Sequence, residues 1–68
     1  MIEVWKINPN CWNVDAQGMF DGYERIRLIS RHRKAARALA VVESARDLVA
    51  FKNGEQLSYY ALCDLALG

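Results

Sequence analysis

The sequence predicts a small α+β domain with an antiparallel β-sheet and one principal helix. Charged and apolar residues alternate over residues 24–29, as in a half-buried strand. The apolar period lengthens to that of a helix over residues 31–46. Asn53-Gly54 is the dipeptide most typical of a two-residue hairpin turn. The 68 residues suffice for a single domain over residues 1–68, and the 53% hydrophobic content is typical of a folded core.

The first part of the chain predicts a β-hairpin. Residues 2–7 are apolar on both faces, which is typical of a strand covered on both sides. Pro9, between two Asn residues, suits a type I turn. Alternation resumes over residues 11–16, with Trp12 and Val14 among the inward-facing residues. We therefore expect two short strands joined by a turn at Pro9.

A third strand is predicted over residues 23–29, after a glycine-containing turn. Alternation places Ile26 and Leu28 on one face of this strand. The opposite face carries Tyr23, Arg25, Arg27 and Ile29. If the helix covers the apolar face, Arg25 and Arg27 project together from the far side of the sheet.

The principal helix is predicted over residues 31–46, with Ser30 as its N-cap. Its buried stripe consists of Ala35, Ala38, Leu39, Val42 and Ala45. Arg31, Arg33 and Lys34 then stand in the first turn, where cations oppose the helix dipole. Because local rules tend to be broken where function demands it, this arrangement indicates a functional use of the cations.

The C-terminal part predicts a second hairpin and a short tail. Residues 47–52 and 55–60 flank the Asn53-Gly54 turn as strands. Residues 61–68 combine Leu and Ala at helical spacing, so we expect a short helix or a turn there. The predicted element order is β-β-β-α-β-β, with a possible short C-terminal helix.

No catalytic, metal or cofactor motif is recognisable in the sequence. Cys11, His32 and Cys63 are isolated and lack the short paired spacings of zinc sites. Neither a P-loop nor a glycine-rich dinucleotide motif occurs. We therefore expect a non-enzymatic binding protein without metal or cofactor.

The compartment is predicted from what the chain lacks. The N-terminal residues have the pattern of a strand rather than of a signal peptide, and no apolar run is long enough to cross a membrane. These features predict a cytoplasmic protein that does not enter a membrane, with both cysteines reduced.

The basic charge is concentrated in one segment. Residues 24–37 contain six cations and one acid, whereas the rest of the chain has three cations and seven acids. Cations next to an aromatic residue suit phosphate contact and base stacking. The leading prediction is binding of nucleic acid, or of a nucleic-acid-handling protein complex. The residues predicted to bind are Tyr23, Arg25, Arg27, Arg31, Arg33, Lys34 and Arg37.

Met19 and Phe20 support an alternative function. They are apolar residues in a predicted loop, where they either fold back over the core or form an exposed contact for a partner. In the second case the chain is a small protein-interaction module that binds a host protein. Inhibitors and adaptors of this kind are encoded by phages and mobile elements.

Self-association is a further expectation. The strand over residues 2–7 is apolar on both faces, yet one principal helix covers only one face of a sheet. A second copy of the chain would cover the other face, sheet to sheet or by pairing of an edge strand, unless the tail with Leu62, Leu65 and Ala66 folds across it. Tyr23 and Tyr60 are the expected interface residues of this homodimer, because aromatic residues are enriched at interfaces.

Overall fold

A computed structural model describes the whole chain, residues 1–68, as one four-stranded sheet with two helices. The elements are β1 (Ile2–Val14), β2 (Phe20–His32), α1 (Ala35–Ser44), β3 (Leu48–Lys52), β4 (Glu55–Gln56) and α2 (Tyr59–Leu67). The strands are all antiparallel and lie in the order β2-β1-β3-β4. The predicted α+β class with an antiparallel sheet is confirmed.

The hairpin predicted at Pro9 is wrong, because β1 is one continuous strand. It pairs with β2 from Ile2 to Val14. The pairing is irregular between Asn8 and Trp12, so Pro9 lies in a bulge of the strand. Proline is tolerated at such a position because its missing N–H removes no bond of the regular ladder.

α1 begins at Ala35, later than its apolar period predicts. Ser30 and His32 still belong to β2, where His32 lies opposite Ile2 of β1. Ser30 is therefore not the N-cap; its hydroxyl instead lies 2.8 Å from Nε2 of His32. The N-cap position is occupied by Lys34, whose side chain makes no capping hydrogen bond. Strand pairing thus overrides the local helical pattern at this boundary.

The core lies between the two helices and one face of the sheet. Its fully buried members are Ile2, Val4, Ala38, Ala50 and Leu62, which come from β1, α1, β3 and α2. Ala35, Leu39 and Val42 pack against them as predicted, but Ala45 lies beyond the end of α1 and is exposed. Because alanine is small, Ala38 lets α1 lie close to the sheet.

The tail forms the second helix, α2. The Ser58 hydroxyl caps it by accepting a hydrogen bond from the Ala61 amide at 3.1 Å. The Tyr59 hydroxyl donates to Oε2 of Glu43 at 2.8 Å and so connects α2 to α1. The last predicted strand, residues 55–60, is thus reduced to the two residues of β4. Neither helix has the length and apolar character needed to span a membrane.

The Asn53-Gly54 turn is confirmed. Both residues have positive φ, 54° and 80°, as a type I′ hairpin turn requires. Asn and Gly tolerate this conformation better than other residues do. The turn returns the chain to pair Gln56 with Phe51.

Candidate functional site

The outer part of the β1–β2 hairpin projects beyond the rest of the sheet. β3 pairs with β1 only from Ile2 to Lys6, whereas the hairpin continues to a turn after Val14. Residues 9–21 are all exposed, and we call this segment the arm. No third strand pairs with the arm, so it is held by the pairing of its own two strands.

The turn of the arm is ordered by Asp15. One oxygen of its carboxylate, Oδ1, accepts hydrogen bonds from the backbone amides of Gln17 and Met19, both at 2.9 Å. The backbone amide of Asp15 also donates to the carbonyl of Met19. Gly18 completes the turn with a φ of 79°. These bonds give the exposed end of the arm a defined backbone conformation.

One face of the arm is apolar. Trp12 lies opposite Tyr23 and Val14 lies opposite Phe20, so these four residues share a face. The rings of Phe20 and Tyr23 meet edge to face, with their centroids 5.2 Å apart. Trp12, Val14, Phe20 and the neighbouring Met19 are each 55% to 66% exposed. The arm therefore presents a contiguous apolar surface that nothing in the chain covers.

This surface corrects part of the sequence prediction. Trp12 and Val14 do not face the core, because the strand that carries them extends past it. Met19 and Phe20 do not fold back over the core either. Alternation alone identifies which residues share a face, but it does not say whether that face is covered. Trp12 and Val14 were therefore missed as candidate binding residues.

A bulge at Ile26 of β2 separates the two arginines that were predicted to share a face. Arg25 lies opposite Ile7, whereas Arg27 lies opposite Lys6. Because neighbouring residues of β1 point to opposite faces, Arg25 lies on the face away from the helices and Arg27 on the helix side. Leu28, opposite Trp5, also lies away from the helices, so the helices do not cover the face of this strand that carries Leu28.

Arg31, Arg33 and Lys34 were predicted to lie in the first turn of the helix, but they do not. Arg31 belongs to β2, and its Nε lies 2.9 Å from Oε2 of Glu3 in an ion pair. Arg33 precedes α1 and Lys34 is its N-cap residue. Only Arg37 lies in the first turn. The argument from an unfavourable helix dipole therefore no longer applies to Arg31 and Arg33.

Three of these cations form an exposed group where α1 begins. Arg33, Lys34 and Arg37 have no ion pair within the chain, in contrast to Arg31. The backbone amide of Arg37 donates to the backbone carbonyl of Lys34 at 3.2 Å, so the two residues lie about one helical turn apart. We call these three residues the basic group. It lies outside the arm, which contains two carboxylates and no Lys or Arg.

No group of three or more His, Cys, Asp or Glu side chains is arranged to hold a metal ion. Cys11 and Cys63 are both free thiols. No known protein family, curated protein or solved structure matches this chain.

Proposed function

We propose that this chain is a non-enzymatic protein-interaction module that binds another protein through the apolar face of its arm. The observation that supports this proposal is the exposure of Trp12, Val14, Met19 and Phe20 on one ordered, projecting hairpin. Burying such side chains contributes about 1.5–3 kcal/mol each. Aromatic residues in a defined position are also the usual centres of binding energy at interfaces.

The charge of the arm indicates what kind of partner it fits. Asp15 and Asp21 are its only charged residues, so a phosphate backbone would be repelled. A protein surface with an apolar cleft and basic residues at the rim would be complementary. Binding such a cleft would make the chain an inhibitor or an adaptor of its partner, of the kind that phages and mobile elements encode. A reducing cytoplasm suits the exposed free thiol of Cys11.

Capture from a host lysate by immobilised protein, with and without nuclease, tests this function. The double variant Trp12→Ser with Phe20→Ser should lose the captured protein, because two central apolar contacts disappear. Tyr60→Ser is the matched control, since Tyr60 is an aromatic residue 80% exposed on α2, outside the arm. Capture that survives nuclease and the control but not the double variant supports the proposal. Equal capture by all three proteins would contradict it.

Nucleic-acid binding is the second candidate function, and the basic group supports it. Arg33, Lys34 and Arg37 are exposed and carry charges that no acid of the chain neutralises. If all three contact phosphates, the log–log salt dependence of binding should have a slope of about −3. Fluorescence anisotropy with a random duplex and a random single strand measures this slope.

A triple variant assigns such binding to the basic group. Replacing Arg33, Lys34 and Arg37 by Gln should abolish it, whereas Lys52→Gln, in β3 and outside the basic group, should not. Absence of binding at low salt would remove this function for the isolated chain.

A further inference from the structure

A groove lies between the root of the arm, where residues 20–25 lead back into the sheet, and the β3–β4 hairpin. It encloses about 520 Å³, which is within the range of ordinary ligand sites. One wall comes from residues 20–25 and the other from residues 54–58, with Asn13 and Phe51 completing the lining. Since Arg25 and Phe51 lie on the sheet face away from the helices, the groove opens on that face.

The two walls are held together by specific contacts. Oε1 of Gln56 accepts a hydrogen bond from the Tyr23 amide at 3.0 Å. Gly22 is buried beside it, and a Cβ at this position would lie 3.2 Å from the same oxygen. The absence of a side chain at Gly22 thus lets the arm approach β4. The groove is therefore preformed rather than a gap between independent loops.

Arg25 brings an unpaired cation into the groove. Its guanidinium carbon lies 5.1 Å from the ring centre of Trp5 and 4.7 Å from that of Phe51. Its side chain makes no hydrogen bond or ion pair within the chain. Stacking on aromatic rings orients the guanidinium plane while leaving the N–H groups at its edge free. Such a group is suited to a carboxylate, which it can bind through two parallel hydrogen bonds.

Asp21 and Glu55 also line the groove and are equally unpaired. The lining therefore contains one cation and two carboxylates. A lone anion such as phosphate would meet repulsion from both acids, and a lone cation would pair with the acids but leave Arg25 without a partner. A ligand that carries both signs of charge satisfies all three groups. The amide side chains of Asn13 and Gln56 provide donors and acceptors for a peptide backbone.

We propose that the groove binds a segment of the partner protein in which an acidic side chain lies close to a basic one. The acidic side chain pairs with Arg25, and the basic side chain pairs with Asp21 and Glu55. This inference rests on the proposed protein-binding function and gives it a charge-selective second contact next to the apolar face of the arm. The arm supplies binding energy, and the groove supplies the choice of partner.

NMR titration of the ¹⁵N-labelled chain with three short peptides tests this inference without a known partner. The probe is acetyl-Lys-Ala-Glu-amide, in which the two charged side chains point the same way when the peptide is extended. The controls replace either Lys or Glu by Gln. We expect saturable shifts at the amides of Gly22, Tyr23 and Gln56 with the probe, at about millimolar affinity. Each control peptide should bind about tenfold more weakly, or not measurably.

Protein variants then assign the two charges. Arg25→Met keeps an apolar side chain over the rings but removes the cation, so probe binding should fall about tenfold. Glu55→Gln should reduce binding of the Lys-containing peptides selectively. Asp64→Asn on α2 is the control and should change nothing. Equal binding of all three peptides, shifts outside the groove, or full binding by Arg25→Met would each overturn the inference.

The arm and the groove share Asn13, Phe20 and Asp21, but the two experiments have separate readouts. Loss of lysate capture in the Trp12 and Phe20 double variant tests the proposed function, whereas the peptide titration uses the intact arm and no partner. If capture depends on the arm but the peptides do not bind, the groove inference alone is wrong. If the peptides bind selectively but capture does not depend on the arm, the proposal that the arm binds the partner is wrong. The inference about the groove is then supported.

Discussion

Oε1 of Gln56 accepts the Tyr23 amide hydrogen bond at 3.0 Å and so joins the shortest strand of the sheet to the root of the arm. The contact spans 33 positions of the sequence. Gly22, the neighbour of Tyr23, is the residue that makes this approach possible.

We predict that Gly22→Ala costs more stability than Gly18→Ala. Both glycines have positive φ, 88° and 79°, so either alanine is strained by about 1–2 kcal/mol. Only at Gly22 does the added Cβ also meet another group, Gln56 Oε1 at 3.2 Å, whereas Gly18 has nothing within 4 Å. Urea denaturation of the two variants measures the difference in unfolding free energy. Equal losses of unfolding free energy would show that Gln56 moves away from the added Cβ at no energetic cost.

A second prediction concerns the core and compares two leucines of α2. Leu62 is 1% exposed and packs against Ala38, Ile2 and Val4, whereas Leu67 is 88% exposed. Leu62→Ala should lower the unfolding free energy by about 2–5 kcal/mol, because it leaves a cavity. Leu67→Ala should change it by less than about 0.5 kcal/mol. Thermal unfolding followed by circular dichroism compares them, and similar midpoints would place α2 outside the cooperative core.

The hydrogen bond between Tyr59 and Glu43 predicts a pH dependence at high pH. Acceptance by the Glu43 carboxylate raises the pKa of Tyr59 to about 12, with a smaller contribution from Cys63. In the unfolded chain a tyrosine ionises near pH 10, roughly the ordinary pKa of the phenol. Because the folded pKa is the higher one, this contribution to stability is complete below about pH 10 and is lost as the pH rises toward about 12.

Ultraviolet titration of the phenolate and denaturation at several pH values measure this effect. Tyr59→Phe should remove the ionisation near pH 12 and flatten the corresponding decline in stability. Glu43→Gln should lower the pKa of Tyr59, because the charge of the acceptor is lost. A Tyr59→Phe protein with the same high-pH decline as the parent would show that another group is responsible.

Self-association is predicted to depend on the arm. On the sheet face without helices, Arg25 lies over Trp5 and Phe51, and Phe51 is only 4% exposed, so this face offers little apolar surface. Bulges and arginines along β2 also disfavour pairing of its free edge. The apolar face of the arm is the surface that we expect a second copy to cover. We expect light scattering to report dimers at high concentration, and monomers for Trp12→Ser with Phe20→Ser. A dimer unaffected by these substitutions would lie elsewhere, with Tyr60 as the next residue to replace.

The elements that follow from local chemistry were predicted from the sequence. The Asn53-Gly54 turn depends on two residues that tolerate positive φ, and the structure has this turn. Ala38 and Leu39 were assigned to the buried stripe of α1 because helical periodicity depends only on near neighbours. The α+β class follows from the same local patterns.

The other features of the fold depend on strand pairing between segments that are distant in the sequence. Pro9 has the local chemistry of a turn, but pairing with β2 on both sides of it keeps β1 continuous. Ser30 has the chemistry of an N-cap, yet Val4 lies opposite it and holds it in a strand. One extra residue in β2, Ile26, places Arg25 and Arg27 on opposite faces of the sheet. A bulge has this effect because it shifts every later residue by one position of a two-residue period. The sequence by itself therefore determined which residues can form strands, turns and helices. The tertiary structure alone decided which side chains are exposed and which face of the sheet they lie on, because strand register is set by pairing between distant segments.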